Sequence, residues 1–216
     1  MRKTILSLLL LAPMVVTAQS LGQHGQSVET LVPQGWEHSE AVGDLNKDGL
    51  EDLVVIATPN FRDKVLTRDD GYEINMNPPQ LAIYFGQAGG GFTLFKKYEE
   101  LIQARDEYCI VETSLQVTER GVLHLGVSTF HTAGTADTGG PTYVFRYQNG
   151  DFYLIGKEQF GFSRMSGEAE EVSENYLTWK RQVKTFNMFK DKTGKERETW
   201  TKLRRRPLQR LGEFEL

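Results

Sequence analysis

Residues 44–52 read Asp44-Leu45-Asn46-Lys47-Asp48-Gly49-Leu50-Glu51-Asp52. Oxygen-bearing side chains stand at the first, third, fifth and ninth places. Leu50, at the seventh, can add its main-chain carbonyl. Gly49, at the sixth, permits the sharp turn that folds such a loop around a point. A hard cation such as calcium takes about six to eight oxygen ligands at roughly 2.3–2.6 Å. The spacing therefore makes Asp44, Asn46, Asp48, Leu50 and Asp52 candidate ligands of one calcium ion, with water completing the shell. Asn46 contributes a neutral oxygen, which limits repulsion among the three carboxylates. Lys47 and Glu51 fall between ligand positions and are expected to face solvent. Magnesium suits the loop less, because it holds a smaller octahedral shell and keeps several waters. An EF-hand would carry a bidentate glutamate at the twelfth place, and here that place is Val55. The competing reading is an acidic surface turn that holds no ion.

Other residues with chemical potential are weaker candidates. His124, Ser128, His131 and Asp137 lie close in sequence, but Ser128 has no glycine-framed nucleophile turn and proximity alone makes no triad. No catalytic or cofactor-binding residue is assigned. Cys109 is the one cysteine, so no intramolecular disulfide can form. Its surroundings, Tyr108-Cys109-Ile110-Val111, read as a buried strand rather than a reactive thiol. Lys202, Arg204, Arg205, Arg206 and Arg210 form a basic run that could meet an anionic polymer or could be a solvated strand and turn. Trp36, Trp179 and Trp200 could line a sugar-binding face, although strand aromatics more often fill a core.

The elements that would position these residues are short strands broken by Gly, Asn and Asp. Leu53–Ala57 is a continuous run of strand-forming apolar residues. Leu81–Phe85 and Phe92–Phe95 flank a glycine-rich turn and read as a hairpin. Val122–Val127 is a further strand. Thr142–Tyr147 and Phe152–Ile155 surround Asn149-Gly150, both of which tolerate positive φ, so a two-residue hairpin is expected there. Tyr176–Lys180 and Val183–Phe186 alternate apolar and polar side chains as half-buried strands do. Tyr98–Glu107 has the composition of one or two helical turns. Residues 60–80 and 131–141 read as long loops. The fold class is all-β, a sandwich, barrel or propeller.

The loop with its flanks, Gly43 to Val55, followed by Leu81–Gly86 and Gly90-Gly91-Phe92, resembles one FG-GAP/VCBS-type repeat. Such repeats build the blades of integrin-α-like propellers, and their acidic loops bind calcium. The resemblance covers about residues 34–98. Residues 145–156 and 175–178 resemble a group of exported bacterial proteins of unknown function that carry one such loop ahead of an all-β remainder. This implies a propeller-blade-like first part and a second β part over about 105–216, within one all-β unit spanning 19–216. Only one acidic loop is present, so a β-sandwich-like packing is the alternative to a many-bladed propeller.

The chain opens with Arg2-Lys3, an apolar stretch from Ile5, and Val16-Thr17-Ala18. This is the pattern of a signal peptide over 1–18, with the mature chain starting at Gln19. The apolar run is too short to span a bilayer, which takes about 20 residues, and no later segment does better. A periplasmic or secreted location follows. The net charge of −4 argues against a nucleic-acid partner. The leading functional reading is an exported calcium-binding module that engages an envelope protein or glycan. An envelope hydrolase acting on glycans or peptides is the alternative.

Overall fold

The computed structural model describes residues 19–190, 196–214 and 216. The expected signal peptide, residues 1–18, lies outside them. The chain runs β1 (His24–Gly25), α1 (Val28–Leu31), β2 (Glu37–Gly43), β3 (Asp52–Thr58), β4 (Val65–Thr67), β5 (Glu73–Asn75), β6 (Gln80–Gly86) and β7 (Phe92–Tyr98). It continues β8 (Cys109–Val117), β9 (Val122–His131), β10 (Asp137–Gln148), β11 (Asp151–Ser163), β12 (Glu168–Asn175), β13 (Lys180–Asn187) and β14 (Arg197–Lys202). The fold is all-β and antiparallel, as expected. A five-stranded sheet has the order β1-β7-β6-β3-β2, and a seven-stranded sheet the order β14-β13-β12-β11-β10-β9-β8. The second is a meander of successive hairpins that curls into a half-barrel. β4 and β5 form a two-stranded flap in the excursion between β3 and β6.

The continuous apolar run of β3 reflects burial on both faces. Val54 and Ile56 face the seven-stranded sheet and meet Leu123, Leu125, Phe145 and Phe152. Leu53, Val55 and Ala57 face the other way and are covered by Leu21, Leu31 and Trp36. The N-terminal segment thus closes the second face of the smaller sheet. Lys96 of β7 reaches Asp151 at the β10–β11 turn, with Nζ 2.7 and 2.8 Å from the two carboxylate oxygens. The C-terminal segment returns across β11: Leu154 donates to the Gln209 carbonyl and Leu211 to that of Phe152, both at 2.9 Å. Phe214 stacks on Phe145 and packs at a tilt beside Tyr143.

Several expected elements hold. β6 and β7 form the glycine-turn hairpin. Asn149 (φ 51°) and Gly150 (φ 77°) make the two-residue turn between β10 and β11. Others differ. Tyr98–Glu107 contains no helical turn beyond the end of β7. Leu101 and Ile102 are both buried there, in irregular chain between β7 and β8. Tyr176–Trp179 is a turn, not a strand, because Asn175 Oδ1 accepts the N–H groups of Leu177 and Thr178 and Trp179 adopts φ 56°. The strand before it is the acidic β12, held between β11 and β13. The segment 60–80 contains β4 and β5, and β9 and β10 extend into the segment read as the 131–141 loop.

Candidate functional site

The 44–52 loop joins β2 to β3 and hangs on the residue that begins β3. Asp52 is fully buried. Its Oδ2 accepts the N–H groups of Leu45 at 2.8 Å and Asn46 at 3.2 Å, and its Oδ1 accepts that of Gly86 at 2.9 Å. One carboxylate therefore ties the two ends of the loop together and fastens them to the end of β6. The remaining side chains fold the loop on itself. Asp44 accepts the N–H groups of Lys47 (2.7 Å) and Gly49 (3.1 Å). Asp48 Oδ1 accepts that of Leu50 at 2.8 Å, and Asp48 Oδ2 accepts the Asn46 amide at 2.9 Å. Asn46 Oδ1 accepts the Asp48 N–H at 2.9 Å. Lys47 (φ 68°) and Gly49 (φ 87°) supply the left-handed backbone the curl needs.

Two glycines let the loop press against its neighbours. A Cβ at Gly86 would stand 2.3 Å from the Glu51 carbonyl oxygen, and one at Gly121 would stand 2.2 Å from the Asp44 carbonyl oxygen. The loop is thus wedged between the end of β6 and the β8–β9 turn, where the two sheets meet. Lys47 is exposed, as expected, and the amino end of its side chain lies beside Gly121.

Burial pushes the Asp52 carboxyl above its ordinary value, and the Asp48 charge adds to this, while the Gly86, Leu45 and Asn46 N–H groups pull it back. No lysine or arginine forms a salt bridge to it among the described residues. Asp44 and Asn46 are half-buried, Asp48 is exposed and Asp52 is fully buried. Among the described residues, no three His, Cys, Asp or Glu side chains gather as a metal-holding group. The donor set nevertheless fits a hard cation in type. It is all oxygen, and each carboxylate oxygen that accepts one N–H keeps a second lone pair.

Strand alternation sorts the remaining candidates. His124 and Ser128 share one face of β9, and His131 points to the other, so Ser128 and His131 are held apart by the sheet. Cys109 is buried, with Sγ 3.8 Å from His131 Nε2. Burial pushes its thiol up, and the Asp106 charge adds to this, so Cys109 stays a neutral, packed side chain. Trp36 is buried, Trp179 packs beside Tyr176, and Trp200 is 60% exposed.

Sequence reasoning missed a cleft at the open end of the half-barrel. It is a wide, open cleft of about 1260 Å³ lined by Thr129, His131, Asp137, Glu168, Glu170 and Thr185 among others. The glutamates belong to β12, whose charged sequence carries no apolar alternation to mark it as a strand. Comparison with protein-family models, curated proteins and solved structures finds no match to the chain.

Proposed function

We propose that this chain is an exported calcium-binding protein of the cell envelope, an interaction module with a structural ion site at residues 44–52. The observation that carries this reading is Asp52. It is a wholly buried carboxylate that closes the same loop as Asp44, Asn46 and Asp48, and among the described residues no lysine or arginine forms a salt bridge to it. A divalent ion held by the oxygens of those three side chains and the Leu50 carbonyl would supply the missing positive charge. It would also rigidify the wedge between the two sheets. The antiparallel run β2–β3–β6–β7 supports the resemblance to a single FG-GAP/VCBS blade.

Calorimetric titration of metal-free protein tests the reading. Calcium should bind with one site per chain and raise the melting temperature. A ligand at about 100 times its dissociation constant stabilises the native state by roughly 2.7 kcal/mol. Magnesium at equal concentration should do less, and Asp48→Asn should remove most of the response. No calcium binding at millimolar concentration would end the proposal. Export is tested separately by sequencing the N-terminus of protein expressed in a bacterial host, where Gln19 is the expected first residue.

A further inference from the structure

β14 closes the seven-stranded sheet on one side, and no described strand pairs with its outer edge. All six of its residues are exposed. Its hydrogen-bonding direction follows from one contact. Leu203 donates its N–H to the Trp179 carbonyl at 2.8 Å, in the same register that pairs Lys180 with Lys202 and Arg181 with Thr201. In an antiparallel ladder the bonded positions alternate. Thr201, Thr199 and Arg197 therefore bond to β13, and the N–H and C=O groups of Lys202, Trp200 and Glu198 face outward.

The edge is strongly cationic in a chain of net charge −4. Arg197 and Lys202 lie on it, Lys180 and Lys184 lie on the neighbouring strand, and Arg204, Arg205 and Arg206 continue from its end, exposed. Among the described residues none of these seven is in a salt bridge. Glu198 is the one acidic residue of the strand, and its Oε1 is occupied by the Gln182 amide and the Trp200 indole N–H. Trp200 stands beside these charges with 60% of its surface exposed.

Exposed edges are commonly guarded by lysine against unwanted pairing, and Lys202 stands at the end of this one. The seven cations on and beside the edge favour an acidic strand, because opposite charges across a strand pair attract. We propose that the open edge of β14 receives an extended acidic segment of another protein by strand addition, with Trp200 packing against its side chains. The proposal names the partner chemistry of the interaction module above and rests on that reading, but not on its ion. Calcium binding and edge binding are separate measurements, so either can fail alone.

The test uses a capped eight-residue peptide alternating valine and glutamate, titrated into the whole mature protein with and without calcium. Two further peptides serve as comparisons: one N-methylated at alternate residues, the other with lysine for glutamate. The glutamate peptide should bind in both conditions and slow amide exchange at Glu198, Trp200 and Lys202. N-methylation keeps the charge but removes strand hydrogen bonds, so binding should weaken about tenfold or more. The lysine peptide should not bind. Trp200→Pro removes an outward N–H without touching the β13 ladder and should weaken binding by a similar factor. Lys202→Glu combined with Arg205→Glu should abolish it. Should Trp200→Pro fail to fold, the N-methylated peptide on the unaltered protein decides alone. Equal binding of the plain and N-methylated peptides would overturn strand addition. So would absence of peptide binding, including the case where phosphatidylglycerol vesicles bind instead.

Discussion

Replacing Asp52 by alanine tests whether this carboxylate anchors the loop. The substitution leaves the N–H groups of Leu45, Asn46 and Gly86 without their acceptor. The Leu45 and Gly86 bonds are buried, whereas the Asn46 bond is partly buried and water can replace it. A buried donor left unpaired costs about 1–3 kcal/mol, so two cost about 2–6 kcal/mol. Part is returned, because the charge that alanine removes is itself penalised by burial. A net loss of about 3 kcal/mol is expected. Asp44→Ala is the matched control: its partners, the Lys47 and Gly49 N–H groups, are on exposed residues and can turn to water, so about 1 kcal/mol or less should be lost. Urea unfolding of the metal-free proteins, with the slope checked for constancy, measures both. The reasoning fails if Asp52→Ala unfolds within about 0.5 kcal/mol of the parent, or if Asp44→Ala costs more than Asp52→Ala.

Three further outcomes are expected. Tyr84 is wholly buried with a hydroxyl that has no partner among the described residues, and burial pushes its phenol up to about 12; Tyr84→Phe should match the parent or gain up to about 1 kcal/mol in urea unfolding, and a comparable loss would reveal a hidden partner. Burial alone would raise the Asp151 carboxyl, but Lys96, the Phe152 N–H and Arg210 together hold it below its ordinary 3.8. The folded value being the lower one, this stabilisation is complete above the unfolded value and is lost as pH falls through the folded one. Lys96→Met should therefore destabilise the protein at neutral pH and differ little from the parent in strong acid, as urea midpoints at both pH values would show. Gly150→Val should lower stability by about 1 kcal/mol or more, since a β-branched residue resists φ 77°, and an unchanged midpoint would contradict the turn.

The parts legible in the sequence are those where local chemistry and tertiary context agree. Leu53–Ala57 is apolar because both faces of β3 are covered, and Asn149-Gly150 turns because both residues accept positive φ. The strands β12 and β14 were illegible for the opposite reason. In Glu168–Asn175 only Ala169 and Val172 are buried, a spacing that matches no strand period, and the neighbours on either side impose the extended form. Tyr176–Trp179 alternates like a strand, yet the Asn175 side chain captures two N–H groups and turns the chain. At the loop, the identity and spacing of the oxygen donors were readable. That Asp52 would spend its oxygens on three N–H groups was not, because Gly86 lies 34 residues away.

The two sheets differ in how far the chain must travel to build them. Each strand of the seven-stranded sheet pairs with its neighbour in sequence, so its ladder can zip up through short loop closures. The smaller sheet is finished by β1, whose His24 and Gly25 pair with Thr93 and Phe92 across nearly seventy residues. Closure of so long a loop is slow, and the two-residue pairing it gains is small. Residues 21–36 should therefore dock last and lift first. In amide exchange, β1 and α1 should open well before the meander, and their opening uncovers Leu53, Val55 and Tyr84 while leaving the core between the sheets closed.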